Sequence, residues 1–349
     1  MMTGLRNLGI LALALIGSSA QASIGLVVGE PFGGFGTMLP VGHASIYLDH
    51  ICADTPTHLR PCHEGESGVV LSRYHDLTAS GLDWIATPAF PFFYGVETPE
   101  QVPASITPAL RDSLRMKYRA AHYMDAVPTV ATRIERDGAL HFKNGEDWQE
   151  SIGSAFDRRL FVYTLDTTPE QDAAILSYIN DLPNKRRYTL ARHNCADFAA
   201  NIMRIVLPRD ERTQHSPLHR TFAVDYDITT PKALARQLDA WGRQHPELHF
   251  TVYEVPQIPG TTRRSRPLRS CAELFVTTKR YFFTLLFVAP EWIIPDTIAY
   301  ATKGRWKPGQ DATSVTPSAW PPVPAQPVES VTTQPSAPTS PSMSAEGNF

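Results

Sequence analysis

Charge is scarce and balanced in this chain. It carries 35 acidic and 32 basic side chains in 349 residues, a formal net charge of −3, and only 19% of its residues are charged. That balance argues against a nucleic-acid binder, which would normally show a basic stripe or patch. Cysteine is scarce too, and four are too few for a disulfide scaffold of this length. Long apolar runs are confined to two places, Leu8–Gly17 and Leu274–Ala301. Hydrophobic residues are not lacking: at 42% they suffice for a buried core and argue against global disorder. The length suits one large domain or two modest ones.

The two ends differ from the middle. Arg6 precedes the apolar run Leu8–Gly17, and Ser18-Ser19-Ala20-Gln21-Ala22 ends in the small-x-small pattern of a cleavable leader. The run is too short to cross about 30 Å of hydrocarbon, so a leader over residues 1–22 is expected rather than a membrane anchor. The mature protein would then be periplasmic or secreted, where disulfides persist. At the other end, residues 307–349 are rich in Pro, Ser and Thr without helical or strand period, and a disordered tail is expected. The catalytic domain is expected over residues 23–255, with an apolar extension over 256–306 packed on it. Lys279, Arg280, Pro290, Glu291, Pro295 and Asp296 interrupt Leu274–Ala301, which excludes a spanning helix and leaves a core helix or peripheral membrane contact.

The middle mixes short α and β signals. Gly42–Leu48, Gly68–Tyr74 and Arg159–Asp166 read as strands, and Asp137-Gly138 as a hairpin turn. Thr107-Pro108 opens a helix whose face is expected to hold Leu110, Leu114, Tyr118 and Ala121. Thr168-Pro169-Glu170-Gln171 is a capping box with proline at the first helical position, ahead of Ile175, Tyr178, Ile179 and Leu182. Thr230-Pro231 starts a further helix with Leu234, Leu238 and Trp241 on one stripe. Gly33-Gly34-x-Gly36 leads into a strand rather than a helix, so it lacks the setting of a phosphate loop.

The cleanest helical period belongs to Cys195, Phe198, Ala199, Ile202, Met203 and Val206, capped by Asn194. A cysteine in the first turn of such a helix lies among unpaired N–H groups and at the positive end of the dipole. Both favour a thiolate and lower the thiol pKa. The plainer reading is a small core residue on the buried stripe. A nucleophile also needs a base, and His43 opens a strand in which His43, Ser45 and Tyr47 alternate with Ala44, Ile46 and Leu48.

Gly42-His43-Ala44-Ser45-Ile46-Tyr47-Leu48 followed far downstream by Tyr188 and Arg192-His193-Asn194-Cys195-Ala196-Asp197-Phe198-Ala199 resembles the circularly permuted NlpC/P60-like (papain-like) thiol hydrolases. That superfamily includes the lecithin–retinol acyltransferase-like families, and the likeness spans roughly Gly25 to Val255. It implies an α+β fold with an antiparallel sheet packed on the helix that bears the cysteine. It also implies Cys195 as nucleophile and His43 as general base and acid. The family's third residue lies on the strand after the histidine strand, which points to His75, with Ser72 and Arg73 behind it. The oxyanion hole would use the Cys195 N–H and one further donor, for which Tyr188 is the candidate.

Between the first two strands, Cys52, His58, Cys62 and His63 admit either a zinc site or a Cys52–Cys62 disulfide. The spacing matches no common zinc pattern, and an exported protein favours the disulfide. Cys271 is then expected as a buried thiol. No cofactor or metal is expected. The function expected is hydrolysis of amide or peptide bonds, with peptidoglycan as the first substrate. One alternative is a lipid acyl or thioester hydrolase or transferase, with the Phe90-Pro91-Phe92-Phe93-Tyr94 segment and residues 274–301 forming an acyl-binding surface. The other is a non-catalytic envelope protein that binds or scaffolds.

Overall fold

Ala-Ser-Ile-Gly-Leu-Val-Val-Gly, with its alternating branched residues, forms strand β1 (Ala22–Gly29) at the middle of a seven-stranded sheet. It is a strand that the sequence reading did not anticipate. The computed structural model describes residues 22–30, 42–74, 77, 81–123, 134–136, 139–141, 147–186, 188–189, 193–207, 217–221, 224–227, 230–261 and 309–322. The expectations for Gly33–Gly36, Cys271 and residues 274–301 fall outside them.

The other strands of the sheet are β2 (His43–Leu48), β5 (Val69–Ser72), β6 (Ile85–Pro88), β9 (Leu160–Thr167), β12 (Thr251–Val255) and β13 (Thr313–Ser314). Their order is β13-β12-β9-β1-β2-β5-β6, and every pairing is antiparallel except β12 with β13. Three hairpins stand apart: β3 (Ile51–Thr55) with β4 (His58–Pro61), β7 (Ile134–Arg136) with β8 (Ala139–His141), and β10 (Pro217–Thr221) with β11 (Val224–Asp227). The first of these carries a Cys52–Cys62 disulfide with a Cα–Cα separation of 4.8 Å. Gly68, at φ +77°, makes the turn into β5; a Cβ there would lie 2.1 Å from the Leu48 carbonyl oxygen. The chain is thus an α+β fold built on an antiparallel sheet.

Both faces of the sheet are buried, because helices cover each. Helices α3 (Pro169–Asp181), α4 (Cys195–Val206) and α5 (Pro231–Gly242) pack on the face that presents Ile24, Leu26, Ala44, Ile46 and Leu71. The capping box of α3 forms as its sequence requires, with Thr168 accepting from the Gln171 N–H and the Gln171 side chain accepting from the Thr168 N–H. The opposite face presents Val27, Tyr47, Val70 and Val162 to helix α1 (Ala89–Tyr94). All six residues of α1 are buried. The Phe90–Tyr94 segment is therefore core and not an exposed acyl-binding loop, because its four aromatic rings gain more from burial than from water.

Helix α2 (Pro108–His122) starts where its Thr-Pro signal placed it, with the Thr107 hydroxyl accepting from the Leu110 N–H. Its buried face matches the apolar stripe expected only in part, at Tyr118 and, partly buried, Leu114. Leu110 is 39% exposed, and the buried residues are Arg115, Tyr118 and Arg119. Arg115 donates to the carbonyls of Ile152 and Gly153 and to the Asp157 carboxylate, and Arg119 lies over the Trp148 ring. A guanidinium whose donors are met by carbonyls and a carboxylate can be buried where the binary pattern asks for leucine.

The chain from Gly309 to Pro322 corrects the expectation of a solvated tail there. β13 extends the sheet along β12, Val315 and Trp320 are buried, and the Trp320 ring lies 4.3 Å from Phe93 and 5.3 Å from Tyr47 between centroids. One indole and one valine supply enough apolar area to hold a segment whose composition suggests none. Trp320→Ala should destabilise the fold by about 3–5 kcal/mol. Urea titration followed by circular dichroism would check this, and an unchanged midpoint would show that the segment does not contribute.

Candidate active site

Helix α4 begins at Cys195 because Asn194 caps it. The Asn194 side-chain oxygen accepts from the N–H groups of Ala196 at 2.8 Å and Asp197 at 2.9 Å. The Asp197 carboxylate completes the box by accepting from the Asn194 N–H at 3.1 Å. Tyr188 meets the same helix end. Thr189 and His193 exchange backbone hydrogen bonds of 3.3 and 3.1 Å, a short loop closure that brings Tyr188 back toward the helix start. There the phenol oxygen accepts from the Cys195 N–H. Burial raises the Tyr188 pKa, with the thiol and Asp197 adding to it, so its proton stays on.

Cys195 is free and 7% exposed, and it feels the backbone N–H groups of Ala44, of Ala196 and of its own residue. These donors favour the thiolate, but burial is the stronger influence and pushes the thiol above its ordinary value. The nearby Asp197 carboxylate acts in the same direction. The expected depression of the thiol pKa by the helix end is therefore not seen. Desolvation of a sulfur anion in an apolar layer outweighs the partial charges of one helix terminus.

His43 lies on the far side of the strand. Ala44, Ile46 and Leu48 face α4, so the period of two turns His43, Ser45 and Tyr47 to the other layer. There His43, with Gly29, Ser45, Phe92, Ser154 and Arg158, lines a narrow space. The residue as a whole is half-buried, but its Nε2 is shut off from solvent and has no hydrogen-bond partner among the described residues. Burial, then the Arg158 guanidinium, hold the imidazole well below its usual pKa. At neutral pH the resting pair is a neutral ring and a neutral thiol. The structure brings Cys195 against the backbone beside His43, but it does not join the two side chains.

Beside His43 stands Tyr74. Ser45 pairs with Ser72, their hydroxyls 2.8 Å apart, and two residues further on the His43 and Tyr74 rings stack at 4.2 Å with an interplanar angle of 11°. Tyr74 is thus a neighbour of His43, and His75 lies outside the described residues. The intervening Arg73 is on the side of α4, its guanidinium 4.6 Å from the centre of the Phe198 ring and 2.5 Å from the Asp83 carboxylate. Sequence inspection missed Tyr74 and Asp83. The strand register of β2 with β5 was the signal that could have found Tyr74; nothing local announces Asp83.

Of the alternatives for the insertion, the disulfide is the one formed. Cys52, Cys62 and Glu66 lie close enough to suggest a metal site, but both sulfurs are bridged and Glu66 accepts from Arg60 at 2.6 Å. Such a bridge is compatible with an exported protein. No protein-family model and no curated protein matches the chain. Among solved structures, a crystal structure of a type VI secretion system effector, TseH, aligns with 69% of this chain and 95% of its own at 14% identity. The TM-score of 0.26 is too low for that likeness to carry an argument.

Because burial raises the thiol, Cys195 should alkylate slowly at pH 7. Its rate should climb about tenfold per pH unit until the thiolate predominates above the ordinary cysteine range. Iodoacetamide labelling followed by mass spectrometry measures this. A fast, pH-independent reaction at Cys195 between pH 6 and 8 would mean that the sulfur is already ionised.

Proposed function

We propose that the chain is an exported thiol hydrolase acting on amide or peptide bonds through an acyl-enzyme. The observation that carries this is the position of Cys195: a free thiol at the first residue of a capped helix, with backbone donors and a phenol converging on it. In this reading the Cys195 proton passes to His43, whose neutral imidazole is in the state a base requires. The ring must first turn about its side-chain bonds toward the α4 face. Sulfur then attacks the carbonyl carbon, the developing oxyanion takes the Cys195 N–H, and protonated His43 gives its proton to the leaving amine. Water, deprotonated by the same ring, cleaves the thioester and regenerates the thiol. Tyr188 must yield the Cys195 N–H to the oxyanion, and its retained proton lets it donate instead. Peptide cross-links of the cell wall are the proposed substrate, on the resemblance and the leader together.

A second reading is favoured by the orientation of His43. A buried thiol and an imidazole on opposite faces of a strand suit a non-catalytic envelope protein that keeps the fold for binding. The two are separated by incubating wild type, Cys195→Ala and His43→Ala with purified cell-wall fragments and with short-chain acyl esters. The hydrolase reading expects loss of turnover to background in Cys195→Ala and a drop of about 100- to 10,000-fold in His43→Ala. Equal product from wild type and Cys195→Ala on both substrates would sink it.

A further inference from the structure

Ser23 is the first residue after the small-x-small pattern of Ala20-Gln21-Ala22, and its backbone nitrogen has a specific partner. The Ser23 N–H donates to Asp49 Oδ1 at 2.7 Å, and the Ser23 hydroxyl donates to Asp49 Oδ2 at 2.8 Å. The Asp49 N–H answers by donating to the Ser23 carbonyl at 3.2 Å. Ser23 is buried at 9% exposure in the central strand, so a carboxylate is held against the nitrogen of one particular residue. The surroundings are acidic. Asp166 is the cross-strand partner of Ser23 and is bonded to His249, while Asp172 in α3 and the exposed His50 also lie near Asp49.

We propose that leader removal between Ala22 and Ser23 creates an α-ammonium on Ser23 that forms an ion pair with Asp49, so that processing locks β1 into the sheet. Hydrolysis of the Ala22–Ser23 amide by a leader peptidase consumes one water. The carboxyl leaves with Ala22, and the new Ser23 amine takes up a proton from solvent at neutral pH. A neutral amide N–H on Asp49 becomes a charge-assisted contact at the same position. The burial that raises the Asp49 pKa in the uncut chain is then opposed by a full positive charge.

A second export-dependent bond acts on the same turn. The Cys62 N–H donates to the His50 carbonyl at 2.9 Å, and its sulfur, bridged to Cys52, lies 3.6 Å from the Asp49 carbonyl oxygen. Cleavage and oxidation, the two covalent changes that export supplies, thus converge on Asp49 and His50. This inference does not depend on any chemistry at Cys195.

The test compares oxidised chains starting at Ser23 with a free amine, with an N-acetyl group, or with one added glycine, each with Asp49 or Asp49→Asn. The exported native protein should begin at Ser23 by intact mass. Acetylation or extension should lower the thermal midpoint by about 2–4 °C at pH 7, and by much less in the Asp49→Asn chains. The pair raises the amine pKa, so its stabilisation is complete below the unfolded value near 7.7–8.0 and is lost as pH rises through the folded one. The gap between the free-amine and acetylated chains should therefore close toward pH 10, a readout that remains should Asp49→Asn fail to fold. A native start elsewhere, or a gap that persists at pH 10, would overturn the proposal.

Discussion

Alternation along β2 is the constraint from which the rest of the site follows. The register that sets Gly29 opposite His43 and Ser45 opposite Ser72 leaves no freedom over which side chains face which layer. Ala44 goes to the helix bearing Cys195, and His43 goes to the layer holding α1 and Arg158. The thiol therefore meets strand backbone, and the imidazole meets an aromatic ring. A shift of one residue would exchange the two faces, and with them the buried sets Ala44, Ile46, Leu48 and Ser45, Tyr47. Buried hydrophobic packing on both faces fixes the register far more firmly than a single Cys–His contact could.

The elements with strong local signals were legible from sequence. Threonine and asparagine caps with proline or an acidic residue behind them set the starts of α2, α3, α4 and α5, because capping is satisfied within a few residues of chain. The strand carrying His43 and the disulfide of the insertion were legible for the same local reason. Three features were not. β1 begins at Ala22, the last residue of the small-x-small pattern, and because residues 23–29 are buried on both faces it lacks the polar–apolar alternation of a half-exposed strand. The face of α2 depends on Asp157 and on carbonyls of residues 152 and 153, far along the chain. The orientation of His43 depends on pairing partners, and a strand's own sequence does not say which of its two faces receives which helix.

Within the candidate site, geometry and electrostatics pull in different directions. Asn194 and Asp197 place the helix end well, yet they also consume two of its free N–H groups and add a negative charge near the sulfur. What remains for the thiol is too little to offset its burial. The thiol and the ring both rest neutral, so on the proposed hydrolase reading charge separation would have to be driven by what enters the site. A substrate carbonyl taking the Cys195 N–H, with the phenol donating to the same oxygen, would supply stabilisation at the moment charge develops rather than before.

The edges of the sheet show the same economy of local means. An open edge strand invites pairing with other chains unless it is short, covered or interrupted. β12 is covered over Tyr253 and Glu254 by β13, which the return of the chain after Gly309 provides. β6 is short and ends at Pro88, while the Tyr123 hydroxyl occupies the Ala86 carbonyl at 3.3 Å and the Thr87 hydroxyl at 2.5 Å. Residues 309–322 are rich in proline and small polar side chains, which cannot build a core of their own. Laid along an existing edge, they need contribute only two strand residues and one indole, because the sheet and α1 are already there to receive them.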